Sequence, residues 1–276
     1  MPENRPLILL PNSEEWLYDG TLPGLYTLVF DCVYQKTMPA GIHPEHEAQP
    51  SLLPQHMVYT DEARAERVRN SIGQGISPDA LELVETVFLS CMIQKEMAIL
   101  RFLQLAYGVG PKVMDMLGHE RVAPLIKAQR HLHGEAHLLK GFIRFSDYDG
   151  VLGAIITPKN FVLPFLMGHF CARYPNEAFL IYDKNHGAAL LHEKGRREIF
   201  PLEEQEFNAP SREEVQYREL WRRFYDTIAI ESRTNHRCRM GHMPKRYWEN
   251  MTEFQREDGS VRAISRGMQQ GIVQKT

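Results

Sequence analysis

Hydrophobic positions recur at three- and four-residue spacing through the middle of the chain, the pattern of helices that bury one face. The clearest stripe consists of Leu81, Val84, Phe88, Cys91 and Met92. It follows Ser77-Pro78, a pair typical of a helix start, with the serine as N-cap and the proline at the first helical position. The same kind of pattern predicts a helical region over residues 60–140.

The pattern changes at Gly141, where short apolar runs begin to alternate with turn residues. Asp149-Gly150 is a strong hairpin signal, and an apolar helical stretch follows at 161–174. The predicted strands are 142–145, 151–157, 178–183, 187–192 and 197–202. The sequence therefore predicts an α+β fold with a helical N-terminal half, an antiparallel sheet of about five strands with a crossover helix, and a C-terminal helix at 211–230.

Four regions follow from this pattern. Residues 1–59 are expected to be an acidic segment ending in an irregular connector, since 36–57 holds four prolines and three histidines with little periodicity. Residues 60–140 are the helical region, 141–254 an α+β region with a basic C-terminal motif, and 255–276 a flexible tail. Residues 60–254 also fit a single domain.

The composition is that of a soluble globular protein. The chain has 276 residues, 43% hydrophobic and 24% charged, with a formal net charge of −3, which excludes collagen-like and disordered classes. Its longest apolar runs fall far short of the roughly 20 residues needed to cross a membrane, and the sequence pattern at the start leads us to expect no secretory signal. Four cysteines without a CxxC pair suit a reducing compartment. We therefore expect a cytoplasmic protein without membrane contact.

Charge is distributed unevenly along the chain. Residues 1–63 carry nine acidic and two basic side chains, whereas 231–246 carries five basic and one acidic. Such a basic segment is a candidate for phosphate contacts, because neutralised phosphates release counterions; a solvated basic turn is the alternative. Tyr247 and Trp248 follow directly and offer either stacking faces for unpaired bases or an anchor for the C-terminal tail.

Metal and cofactor signatures are incomplete. His133 and His137 have the spacing of a zinc pair, and His133-Gly-Glu135 resembles half of a deaminase motif, but the remaining ligands are absent from the sequence. Carboxylates near predicted turns fit either Mg²⁺ ligands or turn formers, and the second interpretation is favoured. They are Asp19, Asp147, Asp149 and Asp183. No nucleotide-binding or hydrolase signature is present, so neither metal nor cofactor is predicted.

Several segments in order along the chain carry a resemblance to a known family. They are Leu17-Tyr-Asp-Gly20, Thr60-Asp61, Phe88-Leu-Ser90, Lys95-Glu96, Glu135-Ala-His137, Lys140-Gly-Phe-Ile-Arg-Phe145, Pro158-Lys159, Val162-Leu-Pro164, His169-Phe170 and Pro244-Lys-Arg-Tyr-Trp248. Together they resemble a bacterial family of DNA metabolism or DNA repair proteins of unknown biochemical activity. Its members are typically encoded beside a radical-SAM protein, and some are fused to a uracil-DNA glycosylase superfamily domain. The resemblance implies a role linked to DNA and a radical-SAM partner.

Two groups of residues within the matched stretches are candidate sites. Basic and aromatic residues are expected to form one cationic surface for nucleic acid: Lys140, Arg144, Arg233, Arg237, Arg239, Lys245, Arg246, Tyr247 and Trp248. Glu135 and His137 are a candidate proton-transfer pair.

The preferred interpretation is an accessory protein of a DNA repair or modification system, which binds nucleic acid and acts with a radical-SAM partner. One alternative is a DNA-processing enzyme, a nuclease or base-processing activity that uses Glu135 and His137. A second alternative is a protein-interaction scaffold whose basic segment contacts an acidic partner.

Overall fold

The structure is a computed structural model that describes residues 7–148, 150–202, 216–220 and 244–251. Both helices and strands are present. The helices are α1 Leu22–Gln35, α2 Glu62–Gly75, α3 Pro78–Phe88, α4 Lys95–Val109, α5 Ala123–Phe142 and α6 Leu163–Arg173. The strands are β1 Leu10–Pro11, β2 Glu15–Tyr18, β3 Thr37–Met38, β4 Gly41–Pro44, β5 Gln55–Met57, β6 Ser146–Tyr148, β7 Val151–Ile156, β8 Ala178–Asp183, β9 Ala188–Glu193 and β10 Arg196–Pro201. The predicted α+β class is confirmed.

The chain divides into two units. Unit 1 comprises residues 1–135 and 159–162, and unit 2 comprises 136–158 and 163–276. Helix α5 therefore begins in unit 1, and its last seven residues, 136–142, belong to unit 2.

Unit 1 contains the helix predicted by the apolar stripe at Leu81, Val84 and Phe88, but α3 ends at Phe88, so Cys91 and Met92 lie beyond it and Cys91 is exposed. Side chains cap the helices of this unit. The Ser77 side chain accepts a hydrogen bond from the backbone N–H of Ala80, with Pro78 as the first residue of α3. Asp61 caps α2 in the same way, which satisfies a backbone donor that has no partner within the helix. These helices enclose an apolar core that includes Leu83, Ile99 and Phe102.

Short strands interrupt the segment that the sequence predicts as an irregular connector. Strand β2 lies between β4 and β5 and pairs with both in parallel, and β3 pairs in parallel with β1. These strands are two to four residues long, too short for an alternating pattern to stand out. Their backbone groups find partners on strands distant in sequence, which a local pattern does not reveal.

Unit 2 contains a five-stranded sheet in the order β10-β9-β8-β7-β6. All neighbours pair antiparallel except β7 and β8, which run parallel. Helix α6 connects these two strands, and a parallel pair requires such a crossover connection. The predicted sheet of about five strands with one crossover helix is confirmed, with one parallel pair within it.

The strand predicted at 142–145 is wrong. Phe142 is the last residue of α5, and β6 begins only at Ser146. Arg144 thus lies between a helix and a strand rather than on a strand. The apolar character of this stretch has another cause, since the ring of Phe145 packs edge-on against Phe170 and Phe179 at centroid distances of 5.5 and 5.8 Å.

The predicted C-terminal helix at 211–230 is described only at residues 216–220, and these residues are helical.

Among the helices of the described residues, none is both long and apolar enough to cross a membrane.

Candidate functional site

The basic aromatic motif at 244–248 lies in unit 2 as part of a 3₁₀-helix, Lys245–Asn250. Tyr247 and Trp248 are 3% and 4% exposed. Tyr247 packs against Phe142 at a centroid distance of 5.7 Å. This contact between Phe142 and Tyr247 joins the Lys140–Phe145 stretch to the Pro244–Trp248 stretch. The two stretches are about a hundred residues apart in sequence.

The cations of this motif remain on the surface above the buried rings. Arg246 is exposed, lies 4.7 Å from the centroid of the Tyr247 ring, and donates a hydrogen bond to its hydroxyl at 2.6 Å. Lys245 is also exposed, with Nζ 5.8 Å from the centroid of Trp248. Long basic side chains often lie along apolar surface in this way and keep the charge in water.

Lys140 and Arg144 lie at the C-terminal end of α5. Lys140 is in the last turn of the helix and is half-buried. Nη1 of Arg144 donates hydrogen bonds to the carbonyl oxygens of Gly141 and Ile143 at 2.9 and 3.2 Å. A guanidinium in this position satisfies terminal carbonyls and is favoured by the negative end of the helix dipole.

Arg173 extends this group of cations, and the imidazole of His169 lies within reach of their charges; neither residue was predicted as part of the site. His169 and Arg173 lie on α6 in unit 2, and both are exposed. Partial burial lowers the pKa of His169, and the positive charges of Lys140 and Arg173 lower it further. The lowered pKa favours the neutral imidazole, so His169 lies in the field of Lys140 and Arg173 without adding a positive charge near neutral pH. His169 belongs to the His169-Phe170 pair that carries the family resemblance, and this was the sequence signal from which it could have been predicted as part of the site.

The other predicted cations, Arg233, Arg237 and Arg239, lie outside the described residues. The prediction that they share a surface with Lys140 and Arg144 stays a prediction.

Glu135 and His137, the candidate proton-transfer pair, have different surroundings. The Glu135 carboxylate is 2% exposed and accepts hydrogen bonds from the backbone N–H groups of Lys159 and Asn160 and from Nδ2 of Asn160, the last at 2.6 Å. His137 is exposed. Residues two positions apart on a helix do not face each other, so the geometry gives no support to proton transfer between them.

The carboxylates near predicted turns act as turn formers. Asp147 accepts a hydrogen bond from the N–H of Gly150, and Asp183 accepts bonds from the N–H groups of Asn185 and His186. Asp149 lies outside the described residues. Within the parts of the chain that are described, no three histidine, cysteine or acidic side chains come together as a metal site.

Asp19 plays a similar structural role in unit 1. Its carboxylate accepts hydrogen bonds from the N–H and hydroxyl of Thr21, the N-cap of α1, and from the hydroxyl of Thr60 at 2.6 Å. Burial alone would raise the pKa of Asp19, but the bonds from Thr60 and Thr21 outweigh it and lower the pKa. The matched Leu17-Tyr-Asp-Gly20 stretch thus positions the start of a helix.

Comparison with known proteins places these residues in a family. No curated protein matches the chain. The family model of the domain of unknown function DUF4130 matches residues 93–253, which include α4, α5, the five-stranded sheet and the basic aromatic motif. Since the match covers more than half of the sequence, the chain belongs to the DUF4130 family.

Proposed function

We propose that this protein binds nucleic acid through unit 2 and serves a DNA repair or DNA metabolism system together with a radical-SAM partner. The observation that carries the proposal is the contact between Phe142 and Tyr247. It brings the segment that bears Lys140 and Arg144 to the segment that bears Lys245 and Arg246. The radical-SAM partner rests on the family resemblance alone.

Electrostatics support the choice of a polyanion as ligand. Lys140 and Arg173 both act on His169, and Lys245 and Arg246 are exposed. Lysine and arginine bind phosphate oxygens and position a nucleic acid without reading its sequence. We therefore propose binding through the sugar-phosphate backbone.

The aromatic residues have a different part in this proposal. Tyr247 and Trp248 are almost completely buried, so they have little free face on which a base can stack. Their burial favours the second of the two roles considered for them, that of an anchor. In the proposal they hold Lys245 and Arg246 in place, and binding does not depend on base stacking.

Salt-dependent binding tests this proposal. The logarithm of the binding constant for fluorescent single- and double-stranded oligonucleotides should fall linearly with the logarithm of salt concentration, with a slope of about −0.9 per phosphate contact on a duplex and about −0.7 on a single strand. Lys140→Ala and Arg246→Ala should each weaken binding and reduce the slope by about one contact. Lys194→Ala is the matched control, because Lys194 is an exposed cation of unit 2 in the turn between β9 and β10.

Three results decide between the proposal and its alternatives. Binding that is insensitive to salt, or that Lys140→Ala and Lys194→Ala weaken equally, would contradict the proposed surface. Absence of oligonucleotide binding together with tight capture of an acidic protein would favour the scaffold. Co-purification of the radical-SAM protein with the wild type, in the presence and absence of nuclease, tests the partner separately from the nucleic acid.

A further inference from the structure

A polar cavity of about 820 Å³ lies within unit 1, a size suited to a small molecule. One wall is a face of the parallel sheet β4-β2-β5. Glu15 and Leu17 stand two residues apart on β2, and Gln55 and His43 pair with them in register, so the four side chains share this face. The other walls are residues 47–51, which follow β4, and residues 90–96, which lead from α3 into the first turn of α4.

The charged side chains around this cavity are mostly acidic. Three carboxylates line it, those of Glu15, Glu47 and Glu96. Lys95 also lines it, but Nζ of Lys95 lies 5.1 Å from the centroid of the Phe88 ring, and Phe88 is not a lining residue. With His43 neutral, the charges sum to a negative value. The cavity therefore favours a cationic ligand and disfavours an anion such as nucleic acid.

Glu96 offers an acceptor that the protein itself leaves unused. The residue is 5% exposed, and its Oε1 accepts a hydrogen bond from the hydroxyl of Tyr18. Oε2 has no hydrogen-bond partner among the residues that the structure describes, yet it is not enclosed by protein, so it opens onto the cavity. The dipole of α4 stabilises the charge without supplying a donor to Oε2. A carboxylate so far removed from water needs such a donor, which a ligand can provide.

The single open oxygen of Glu96 determines which kind of cation fits. A guanidinium binds a carboxylate best through two parallel hydrogen bonds that use both oxygens, and Tyr18 already occupies Oε1. An ammonium group is a compact charge with three donors, and one donor is enough for Oε2. A metal ion fits less well, because no three histidine, cysteine or acidic side chains within the described ranges come together as ligands.

We propose that this cavity binds a small polar molecule that carries a primary ammonium group, with Oε2 of Glu96 as the acceptor of that group. Glu15 and Glu47 attract the cation from the cavity walls. Amide and hydroxyl groups are available for the polar remainder of the molecule, on Gln49, Ser51, Gln55, Ser90 and Gln94. The site lies in unit 1 and takes a cation, so it is separate from the proposed nucleic-acid surface of unit 2.

Calorimetric titration with 5-aminopentanol at pH 8 tests the site. The wild type should bind this amine saturably, and pentane-1,5-diol, which lacks the charge, should not compete. Glu96→Gln should weaken binding at least about tenfold, because a charge-assisted hydrogen bond is lost. Glu66→Gln is the matched control, since Glu66 is an exposed carboxylate of α2 that does not line the cavity, and it should bind like the wild type.

Two results of this titration would overturn the proposal. One is the absence of saturable binding of the amine to the folded wild type. The other is equal weakening by Glu96→Gln and Glu66→Gln, which would mean that the amine responds to the total charge of the protein and not to Glu96.

Cys91 gives a second readout that does not need a change at Glu96. This cysteine is exposed and lines the cavity. Methanethiosulfonates that carry a trimethylammonium or a sulfonate group are compared, each rate being divided by that with 2-mercaptoethanol. The cationic reagent should modify Cys91 faster, Glu47→Gln should reduce the ratio, and Glu66→Gln should leave it unchanged. Bound 5-aminopentanol should slow modification of Cys91 but not of Cys171 in unit 2. A ratio of one, or no protection of Cys91, would refute the assignment.

Competition experiments separate the proposed ligand from other cations. The guanidinium analogue of 5-aminopentanol should bind more weakly than the amine does, and Mg²⁺ at an equal concentration should not displace the amine. Tighter binding of the guanidinium, or displacement by Mg²⁺, would overturn the choice of an ammonium group. Tighter binding of Nα-acetyl-lysine methylamide would overturn the choice of a small molecule, because it would assign the cavity to a lysine side chain of a partner protein.

Discussion

The hydroxyl of Tyr18 donates a hydrogen bond to Oε1 of Glu96 at 3.1 Å, which connects the end of β2 to the first turn of α4 within unit 1. Both side chains are buried. Burial raises the pKa of Tyr18, and the negative charge of Glu96 raises it further. The hydroxyl therefore keeps its proton and remains a donor throughout the neutral and moderately alkaline range.

Tyr18→Phe removes this donor and leaves a buried carboxylate with one hydrogen bond fewer. We expect the free energy of unfolding to fall by about 2 kcal/mol, because a hydrogen bond to a charged group is lost without a replacement. Urea denaturation measures the change. Glu96→Gln is the comparison, since its carbonyl oxygen still accepts from Tyr18, and it should cost less. A Tyr18→Phe protein as stable as the wild type would contradict this account.

Sequence signals within a few residues of each other predicted the helices of unit 1. They did not predict the sheet of β4, β2 and β5 or the polar contacts of this unit. Ser77-Pro78 and the apolar stripe behind it are local, and α3 begins where they indicate. Asn160 has no such local signal, because its side chain contacts residues 25, 29 and 69 positions away. Phe145 resembles a strand residue in sequence because it is large and apolar, yet the folded chain uses it to pack against α6 and β8.

The hydrogen bond from Thr60 to Asp19 makes stability depend on pH. The pKa of Asp19 is lowered in the folded protein, so the folded state binds a proton less tightly than the unfolded state does. This contribution to stability is fully present above the unfolded pKa of about 3.9 and is lost as the pH falls through the folded pKa. Thr60→Val should raise the pKa of Asp19, as measured by NMR titration of its carboxyl carbon.

Thr60→Val should also make the free energy of unfolding fall less steeply as the pH is lowered through the acid range. Thr60→Ser keeps the hydroxyl and is the matched control, and it should titrate like the wild type. If Thr60→Val leaves the pKa of Asp19 unchanged, the bond from Thr60 does not determine the acidity of this carboxyl group.

The turn between β9 and β10 offers a stabilising substitution. Lys194 and Gly195 have φ values of 48° and 82°, the left-handed pair that a two-residue hairpin turn requires. Asparagine adopts this conformation more readily than lysine does. Lys194→Asn should therefore raise the free energy of unfolding by about 0.5 to 1 kcal/mol, and Gly195→Ala should lower it by about 1 to 2 kcal/mol. Thermal or urea denaturation of both variants tests the sign of each change.

The pKa of His169 depends on the neighbouring cations Lys140 and Arg173 and can be measured by titration. Partial burial and the positive charges of Lys140 and Arg173 lower its pKa. The folded state thus binds the proton less tightly than the unfolded state, and this group reduces stability as the pH falls below the unfolded histidine pKa of about 6.5. Lys140→Ala removes one of the repelling charges and should raise the pKa of His169, measured by the imidazole proton shifts in NMR.

Lys194→Ala removes the same charge elsewhere in unit 2 and should leave the titration of His169 unchanged. A bound polyanion should act in the opposite sense to Lys140, since phosphate groups near α6 favour the charged imidazole. Addition of an oligonucleotide should therefore raise the pKa of His169 in the wild type, and high salt should reverse the change. An oligonucleotide that binds tightly and leaves the His169 titration where it was would place the nucleic acid away from Lys140 and contradict the proposed surface.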